Sequence, residues 1–186
     1  NEKTRQQFLR EGQSLAALHH PNLPRVTDYF IDDGLHYLVM DYIDGQTLEM
    51  ILEASGSQSE NQVLDWADQI LAAVDYIHQH HLIHRDIKPA NIRCTPEGHI
   101  FLVDFGLVKT YDPDNPYTQT IVHGYGTPEY ASPEQYDPES HTDPRSDIYS
   151  LGATLYHLLT GLRPASVTRR ISEPQAFRAP SAANSK

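Results

Sequence analysis

The sequence predicts an α+β fold in which one helix and a β-hairpin precede a mainly helical part. Two observations support this prediction. Apolar side chains recur at the helical period in three segments, at about 5–19, 59–81 and 147–160. Runs rich in β-forming residues occur in pairs joined by short turns, at 26–31 with 35–40 and at 92–94 with 100–103. Helices and hairpins therefore alternate along the chain.

In the first half of the chain, each predicted element has a start or stop signal. Phe8, Leu15 and Leu18 form one apolar stripe along the first helix. Pro21 ends this helix, because proline disfavours a helical conformation in the residue before it. The turn that closes with Gly34 joins the two strands of the first hairpin.

Caps and turns mark the elements of the second half. Thr47 is suited to cap a short helix, and Ser59 and Gln62 have capping-box spacing at the start of the long one. The segment Thr95–Gly98 forms the turn of the second hairpin. Gly161 follows the last periodic helix and predicts its end.

Composition excludes several classes of protein. The 186 residues carry 14 Lys and Arg against 25 Asp and Glu, a formal net charge of −11, which argues against a main role in binding nucleic acid. This length predicts about one domain, and the single cysteine fits a reducing compartment. No apolar run approaches the ~20 residues that span a bilayer. We therefore expect a cytoplasmic segment without membrane contact; its start without Met suggests a piece of a longer protein.

Four short motifs follow one another in a fixed order. They are His84–Asn91 (HRDIKPAN), Asp104–Gly106 (DFG), Ser132–Glu134 (SPE) and Asp147–Gly152 (DIYSLG). Together they resemble the protein kinase family, in the Ser/Thr branch that bacteria share with eukaryotes. The resemblance spans about 5–164 and implies a partial protein kinase-like fold. This fold comprises the αC helix and hinge strands of the small lobe, then the first half of the helical C-lobe.

The motifs supply the groups that phosphoryl transfer needs, since this reaction depends on holding phosphates, metal and acceptor hydroxyl in line. Asp86 would accept the proton of the acceptor hydroxyl or orient that hydroxyl, and Lys88 would contact the transferring phosphate. Asn91 and Asp104 offer the oxygen ligands that Mg²⁺ prefers. In the Ser/Thr branch, the threonine at Thr127 contacts the catalytic aspartate. The resemblance thus implies ATP and Mg²⁺ as cofactors and a protein Ser or Thr as acceptor.

The resemblance also implies a nucleotide site. Met40 takes the gatekeeper position, and Asp41 and Ile43 belong to the hinge whose backbone meets adenine. Arg93 stands where the family places an apolar residue beneath the adenine; either its methylene stem takes that place or the nucleotide is seated differently. The implied cofactor contacts are Met40, Asp41, Ile43, Lys88, Asn91, Arg93 and Asp104.

A regulatory role is expected for Arg85, beside the catalytic aspartate. An arginine at this position often binds a phosphate on the activation segment, because guanidinium and phosphate form paired hydrogen bonds. Thr118 and Thr120 are the predicted autophosphorylation sites; the alternative is that both are simply solvated loop hydroxyls.

The chain departs from the family pattern at both ends. Only ten residues precede Glu11, the αC acid, and they contain neither a Gly-rich loop nor the lysine that pairs with this acid. Glu134 is likewise expected to lack its arginine, which the family supplies from later helices. Asp147 is expected to bind the backbone of the catalytic loop from its own helix.

Three segments are predicted: 1–43 as the N-lobe remnant, 44–164 as the C-lobe core, and 165–186 as a loosely ordered polar tail without helices. The histidines of His78–His81 are expected to be a solvated helix end rather than a zinc site. Two other functions stay open. One is a pseudokinase or interaction scaffold without the ATP-gripping loop and lysine; the other, less favoured, is a small-molecule phosphotransferase.

Overall fold

The computed structural model describes residues 2–105, 109–110, 127–136 and 141–183. The helices found there are α1 (Glu2–Ala16), α2 (Leu48–Ser55), α3 (Glu60–Gln79), α4 (Pro144–Thr160), α5 (Val167–Ser172) and α6 (Pro180–Ala183). The strands are β1 (Val26–Asp32), β2 (Leu35–Met40), β3 (Gln46–Thr47), β4 (Leu82–Ile83), β5 (Ile92–Cys94), β6 (Ile100–Leu102) and β7 (Lys109–Thr110). The predicted α+β class is confirmed.

Both predicted hairpins are present. Strands β1 and β2 pair antiparallel, with Asp32 opposite Leu35 at the turn. Strands β5 and β6 also pair antiparallel, and β3 adds to β5 to complete a three-stranded sheet. The short strands β4 and β7 form a separate pair that follows α3. The three sheets are small, so the packing of the helices supplies most of the core.

Helix α1 ends at Ala16, three residues before the predicted end at about residue 19. The reason is the loop that follows, which turns back to meet β6. The side-chain amide of Asn22 donates to the carbonyl of Ile100 (2.8 Å), and the Asn22 carbonyl accepts from the N–H of Leu102 (2.9 Å). These bonds require the chain to leave the helix before Pro21.

The predicted caps are confirmed at three helix ends. The hydroxyl of Thr47 accepts from the N–H of Met50 (3.1 Å), and that of Ser59 accepts from the N–H of Gln62 (3.3 Å). Gly161 adopts the left-handed conformation (φ 68°) that ends a helix most easily with glycine.

Two helical boundaries differ from the sequence predictions. Helix α4 begins at Pro144 rather than Asp147, because Asp143 caps it through the N–H of Arg145 (2.8 Å) and proline is favoured in the first turn. The polar tail was expected to lack helices, yet it forms α5 and α6. Ser166 caps α5, and an i,i+4 ion pair between Arg169 and Glu173 supports it. These local interactions replace the apolar periodicity that the prediction relied on.

The core is one continuous apolar cluster centred on α3. Seven residues of this helix are buried: Val63, Trp66, Ala67, Ile70, Ala73, Val74 and Ile77. At one end, the cluster reaches Leu15 in α1 and Leu18 just after it. At the other end, it reaches Leu151 and Leu158 of α4. Helix α3 therefore fixes the loop that follows it relative to α4.

Gly45 lies where a side chain does not fit. Its φ is 144°, and a Cβ there would lie 2.3 Å from the carbonyl oxygen of Cys94. Gly45→Ala is expected to lower the free energy of unfolding by about 2 kcal/mol, as measured by urea denaturation. Gly152→Ala is the control: it lies in α4 with open space around it, and we expect a gain of about 0.5–1 kcal/mol. A neutral result at Gly45 would contradict this account.

Candidate active site

Asp147, on α4, anchors the predicted catalytic loop. Its fully buried carboxylate accepts hydrogen bonds from the backbone N–H groups of His84 (2.9 Å) and Arg85 (2.7 Å). His78, near the end of α3, makes a third contact, with Nε2 2.7 Å from Asp147 Oδ2. One carboxylate therefore joins two helices to the loop, as the sequence predicts for the loop backbone.

His84 links the loop to the end of β6. Its ring is fully buried, with Nε2 3.2 Å from the Val103 carbonyl oxygen and Nδ1 3.4 Å from the backbone nitrogen of Asp86. Burial lowers the pKa of His84, against the opposing charges of Asp147 and Asp86. The ring is therefore neutral at pH 7, with Nε2–H donating to Val103 and Nδ1 accepting from Asp86.

Three of the predicted catalytic side chains form one hydrogen-bonded cluster. Asp86 Oδ2 accepts from Lys88 Nζ (2.8 Å) and from Asn91 Nδ2 (2.7 Å). Asn91 Nδ2 also donates to the backbone carbonyl of Asp86 (2.9 Å), which fixes the orientation of the amide. The carboxylate of Asp86 is thus held in place through its Oδ2 atom.

Asn91 and Asp104 fit a magnesium site. Since the Asn91 NH₂ group faces Asp86, its Oδ1 points the opposite way, and no donor among the described residues bonds to it. The N–H of Val103 donates to the Asn91 carbonyl (2.9 Å), which brings the following residue, the exposed Asp104, beside Asn91. Mg²⁺ commonly binds to one or two protein oxygens together with substrate phosphates. The donor set therefore suits this ion.

Of the four non-glycine residues with positive φ in the described part of the chain, two lie at this site. Arg85 and Asp104 both have positive φ values, of 70° and 66°. Residues other than glycine rarely adopt this conformation, at a cost of about 1–2 kcal/mol each. Such strain is most often found at functional sites.

Arg85 is a buried cation with hydrogen-bonding capacity left over. Its side chain is 5% exposed, and its backbone carbonyl accepts from Gln135 Nε2 (2.9 Å). Burial lowers the pKa of its guanidinium, while the charges of Asp147 and Glu11 raise it. Its Nε has no hydrogen-bond partner among the described residues. Glu11, expected without its lysine, thus faces the charge of Arg85.

Thr127 and Glu134 belong to the segment 127–136, which contacts the predicted catalytic loop through Gln135 and Arg85. Thr127 lines a narrow crevice that Asp86 and Tyr130 also line. Glu134 accepts a hydrogen bond from the hydroxyl of Ser146, so it has a partner on α4. Glu134 was expected to lack its arginine, and among the described residues its hydrogen bond comes instead from Ser146, the residue directly before Asp147 on the helix that anchors the loop.

The hinge residues have the exposure that base binding requires. Met40 is half-buried against the core, and the N–H of Asp41 donates to the Arg25 carbonyl (2.9 Å). Within the described parts of the chain, the N–H of Ile43 makes no backbone hydrogen bond. These residues therefore offer a backbone donor and an apolar side chain, the two groups that the predicted contact with adenine needs.

Arg93 directs its charge toward the loop after the hinge. Its Nη2 donates to the Gly45 carbonyl (2.7 Å), and its guanidinium carbon lies 5.6 Å from the centre of the Tyr42 ring. Its Nε is buried and has no partner among the residues described. The guanidinium is therefore occupied elsewhere, and a place for its methylene stem beneath the adenine stays a prediction.

Sequence reasoning missed the contact of His78. This residue was expected in a solvated helix end, whereas it is mostly buried against Asp147. The missed signal is the spacing: His78 follows Ile70 and Val74 at four-residue intervals, which places it on the buried face of α3. Gln135, whose amide supports the loop at Arg85, carried no signal in the sequence.

Several predicted features lie outside the described residues. They are Gly106 and the predicted phosphorylation sites Thr118 and Thr120. In the described ranges, no group of three or more His, Cys, Asp or Glu side chains is placed to hold a metal ion. Nor does any helix in those ranges have the length and apolar character required to cross a membrane.

Comparison with known proteins matches the sequence of the chain to one family. The family model described as "Protein kinase domain" matches residues 1–181. The chain is 40% identical to the serine/threonine-protein kinase PknB of Mycolicibacterium smegmatis and 38% identical to PrkC of Bacillus subtilis, over 84% of its length in both cases. It is also 39% identical to PknB of Mycobacterium leprae. These alignments cover 24–26% of the relatives, so the chain spans about a quarter of their length.

Proposed function

Because the chain belongs to the family of protein kinase domains, we propose that it forms the central part of a Ser/Thr protein kinase. This kinase would transfer the γ-phosphoryl group of ATP to serine or threonine hydroxyls of proteins. The observation that carries the proposal is the cluster of Asp86, Lys88 and Asn91. Lys88 and Asn91 both donate to the same carboxylate oxygen of Asp86. Relatives of the chain are named serine/threonine-protein kinases, which also supports the proposal.

In this proposal each residue of the cluster has one task. Asp86, fixed by Asn91, orients the acceptor hydroxyl and takes its proton. Lys88 holds its ammonium group at Asp86 until the phosphate approaches, and then neutralises part of the phosphate charge. Asn91 Oδ1 and the Asp104 carboxylate hold Mg²⁺, which when bound offsets the charge of the nucleotide phosphates. Thr127 shapes the approach to Asp86.

The nucleotide and regulatory roles belong to the same proposal. Met40, Asp41 and Ile43 would bind adenine, with the N–H of Ile43, which makes no backbone hydrogen bond within the described residues, as the donor to the base. Arg85, whose Nε has no hydrogen-bond partner among the described residues, would bind a phosphate placed on Thr118 or Thr120. The proposed location of the enzyme's kinase segment is the cytoplasm, where ATP and reduced cysteine are both found.

A pseudokinase or interaction scaffold is the second candidate, because the motifs alone do not show that phosphate is transferred. The two can be separated with the full-length protein, γ-labelled ATP and casein as acceptor. A kinase gives label on serine or threonine with Mg²⁺, and EDTA lowers it to background because Asn91 and Asp104 then hold no metal. Binding of ATP without transfer of label would favour the scaffold, and label on a small molecule would favour a small-molecule phosphotransferase.

A further inference from the structure

A cleft of about 260 Å³ opens beside the catalytic cluster. Its lining is Glu49, Lys88, Pro89, Thr127, Tyr130 and Arg163. Lys88 and Thr127 belong to the site described above, so a molecule in this cleft lies next to the acceptor hydroxyl. The two other charged residues, Glu49 at the start of α2 and Arg163 after α4, come from outside every motif.

The base of the cleft carries no net charge. The hydroxyl of Tyr130 lies 2.7 Å from Nδ1 of His157, and both residues are buried. Burial raises the pKa of Tyr130, so its hydroxyl keeps its proton and donates to His157. Burial and the nearby Arg163 lower the pKa of His157, which makes its ring neutral at pH 7. The electrostatic potential of the cleft is therefore determined by the charged residues at its rim, Glu49, Lys88 and Arg163.

Arg163 is the residue at the rim of the cleft that has N–H donors without a hydrogen bond to a described side chain. Its Nη2 donates to Glu49 Oε1 (3.1 Å), and its side chain is 55% exposed. A guanidinium has five N–H donors, and this is its one hydrogen bond to a described side chain. The pKa of Tyr130 is lowered by the charge of Arg163 and raised, each to a smaller extent, by the charges of Glu49 and Glu129. Lys88, the other cation, is balanced by Asp86. A basic side chain entering the cleft would meet Arg163, whereas an acidic one would find its free donors.

We propose that the cleft between Arg163, Tyr130 and Lys88 binds an acidic side chain of the protein substrate, close in sequence to the phosphorylated residue. This inference rests on the proposed kinase function and adds a substrate preference to it. The carboxylate would accept paired hydrogen bonds from the guanidinium, which then exchanges Glu49 for the substrate. Arg163 is thus proposed to determine specificity without taking part in phosphoryl transfer.

The test uses serine peptides that differ only in one flanking residue, Glu, Gln or Lys, moved through each flanking position in turn. With the full-length protein, we expect kcat/KM for the best Glu peptide to exceed that for its Lys counterpart by about three- to fivefold, mainly through KM. The preference should weaken as salt is added, because the rim is exposed to solvent. Equal values for the Glu and Lys peptides at every position would overturn the proposal.

Variants separate a charge effect from damage to the fold. Arg163→Glu is expected to reverse the preference toward Lys peptides, and Glu49→Gln to strengthen the preference for Glu peptides. Arg169→Glu is the matched control, because Arg169 lies in a similarly exposed ion pair on α5, and it should leave the preference unchanged. A uniform loss for all peptides in Arg163→Glu, with no change in their ratio, would overturn the assignment.

A binding measurement makes this inference independent of catalysis. Fluorescently labelled Glu and Lys peptides are titrated with the protein without ATP, and anisotropy reports the two dissociation constants. If no peptide is phosphorylated but the Glu peptide binds more tightly through Arg163, the kinase proposal fails while the cleft is supported. If peptides are phosphorylated but neither kcat/KM nor binding depends on Arg163, the kinase proposal stands and the cleft assignment fails.

Discussion

Asp86→Asn is expected to lower phosphate transfer to a protein acceptor by a factor of about 10²–10⁴ in the full-length protein. The amide has nearly the same shape as the carboxylate, so the loop can keep its course. It cannot take a proton, however, because its oxygen is needed at the Oδ2 position to accept from Lys88 and Asn91, which leaves the NH₂ group where Oδ1 of the native carboxylate lies. Initial rates of label transfer from γ-labelled ATP, at several acceptor concentrations, give the loss in kcat.

Asp68→Asn is the control for this substitution, because Asp68 is exposed on α3. It makes the same chemical change far from the cluster and should leave the rate unaltered. The free energy of unfolding of Asp86→Asn should stay within about 1 kcal/mol of the native value, since an amide oxygen at the Oδ2 position can still accept from Lys88 and Asn91. Wild-type rates in a folded Asp86→Asn variant would remove Asp86 from the mechanism.

Local signals were sufficient to predict much of the fold. The caps at Thr47 and Ser59 depend on neighbours within three residues, so the sequence alone identifies them. The predicted end of α1 was wrong because Asn22 bonds to Ile100, a residue 78 positions away that no local pattern reveals. The same holds for α5, where a cap and one ion pair act without an apolar stripe.

In the candidate site, too, the sequence identifies residues that belong to local motifs but not residues that meet through contacts between distant segments. The motifs around Asp86 identify the cluster because phosphoryl transfer requires those residue types close together in sequence. Arg163 and Glu49 could not be found this way, since 114 positions separate them and each looks like an ordinary surface charge. Tyr130 and His157 likewise meet only after α4 has packed. Contacts between distant segments thus determine the features of the site that the motifs do not reveal.

Asp147→Asn is expected to lower the free energy of unfolding by about 3 kcal/mol, because it disturbs a buried and fully bonded carboxylate. Oδ1 accepts from the N–H of Arg85, and Oδ2 accepts from the N–H of His84. An amide has one acceptor oxygen, so in either orientation its NH₂ group faces one of these two buried N–H groups. Urea denaturation followed by circular dichroism measures the change.

Asp143→Asn makes the same replacement one turn earlier and serves as the control. Asp143 caps α4 at its exposed start, and asparagine caps a helix about as well as aspartate. Its effect should therefore stay below about 1 kcal/mol. Because Asp147 also fixes the backbone at the strained Arg85, Asp147→Asn should reduce phosphate transfer at temperatures where the variant is still folded. Equal destabilisation by the two variants would show that the loop does not depend on this carboxylate.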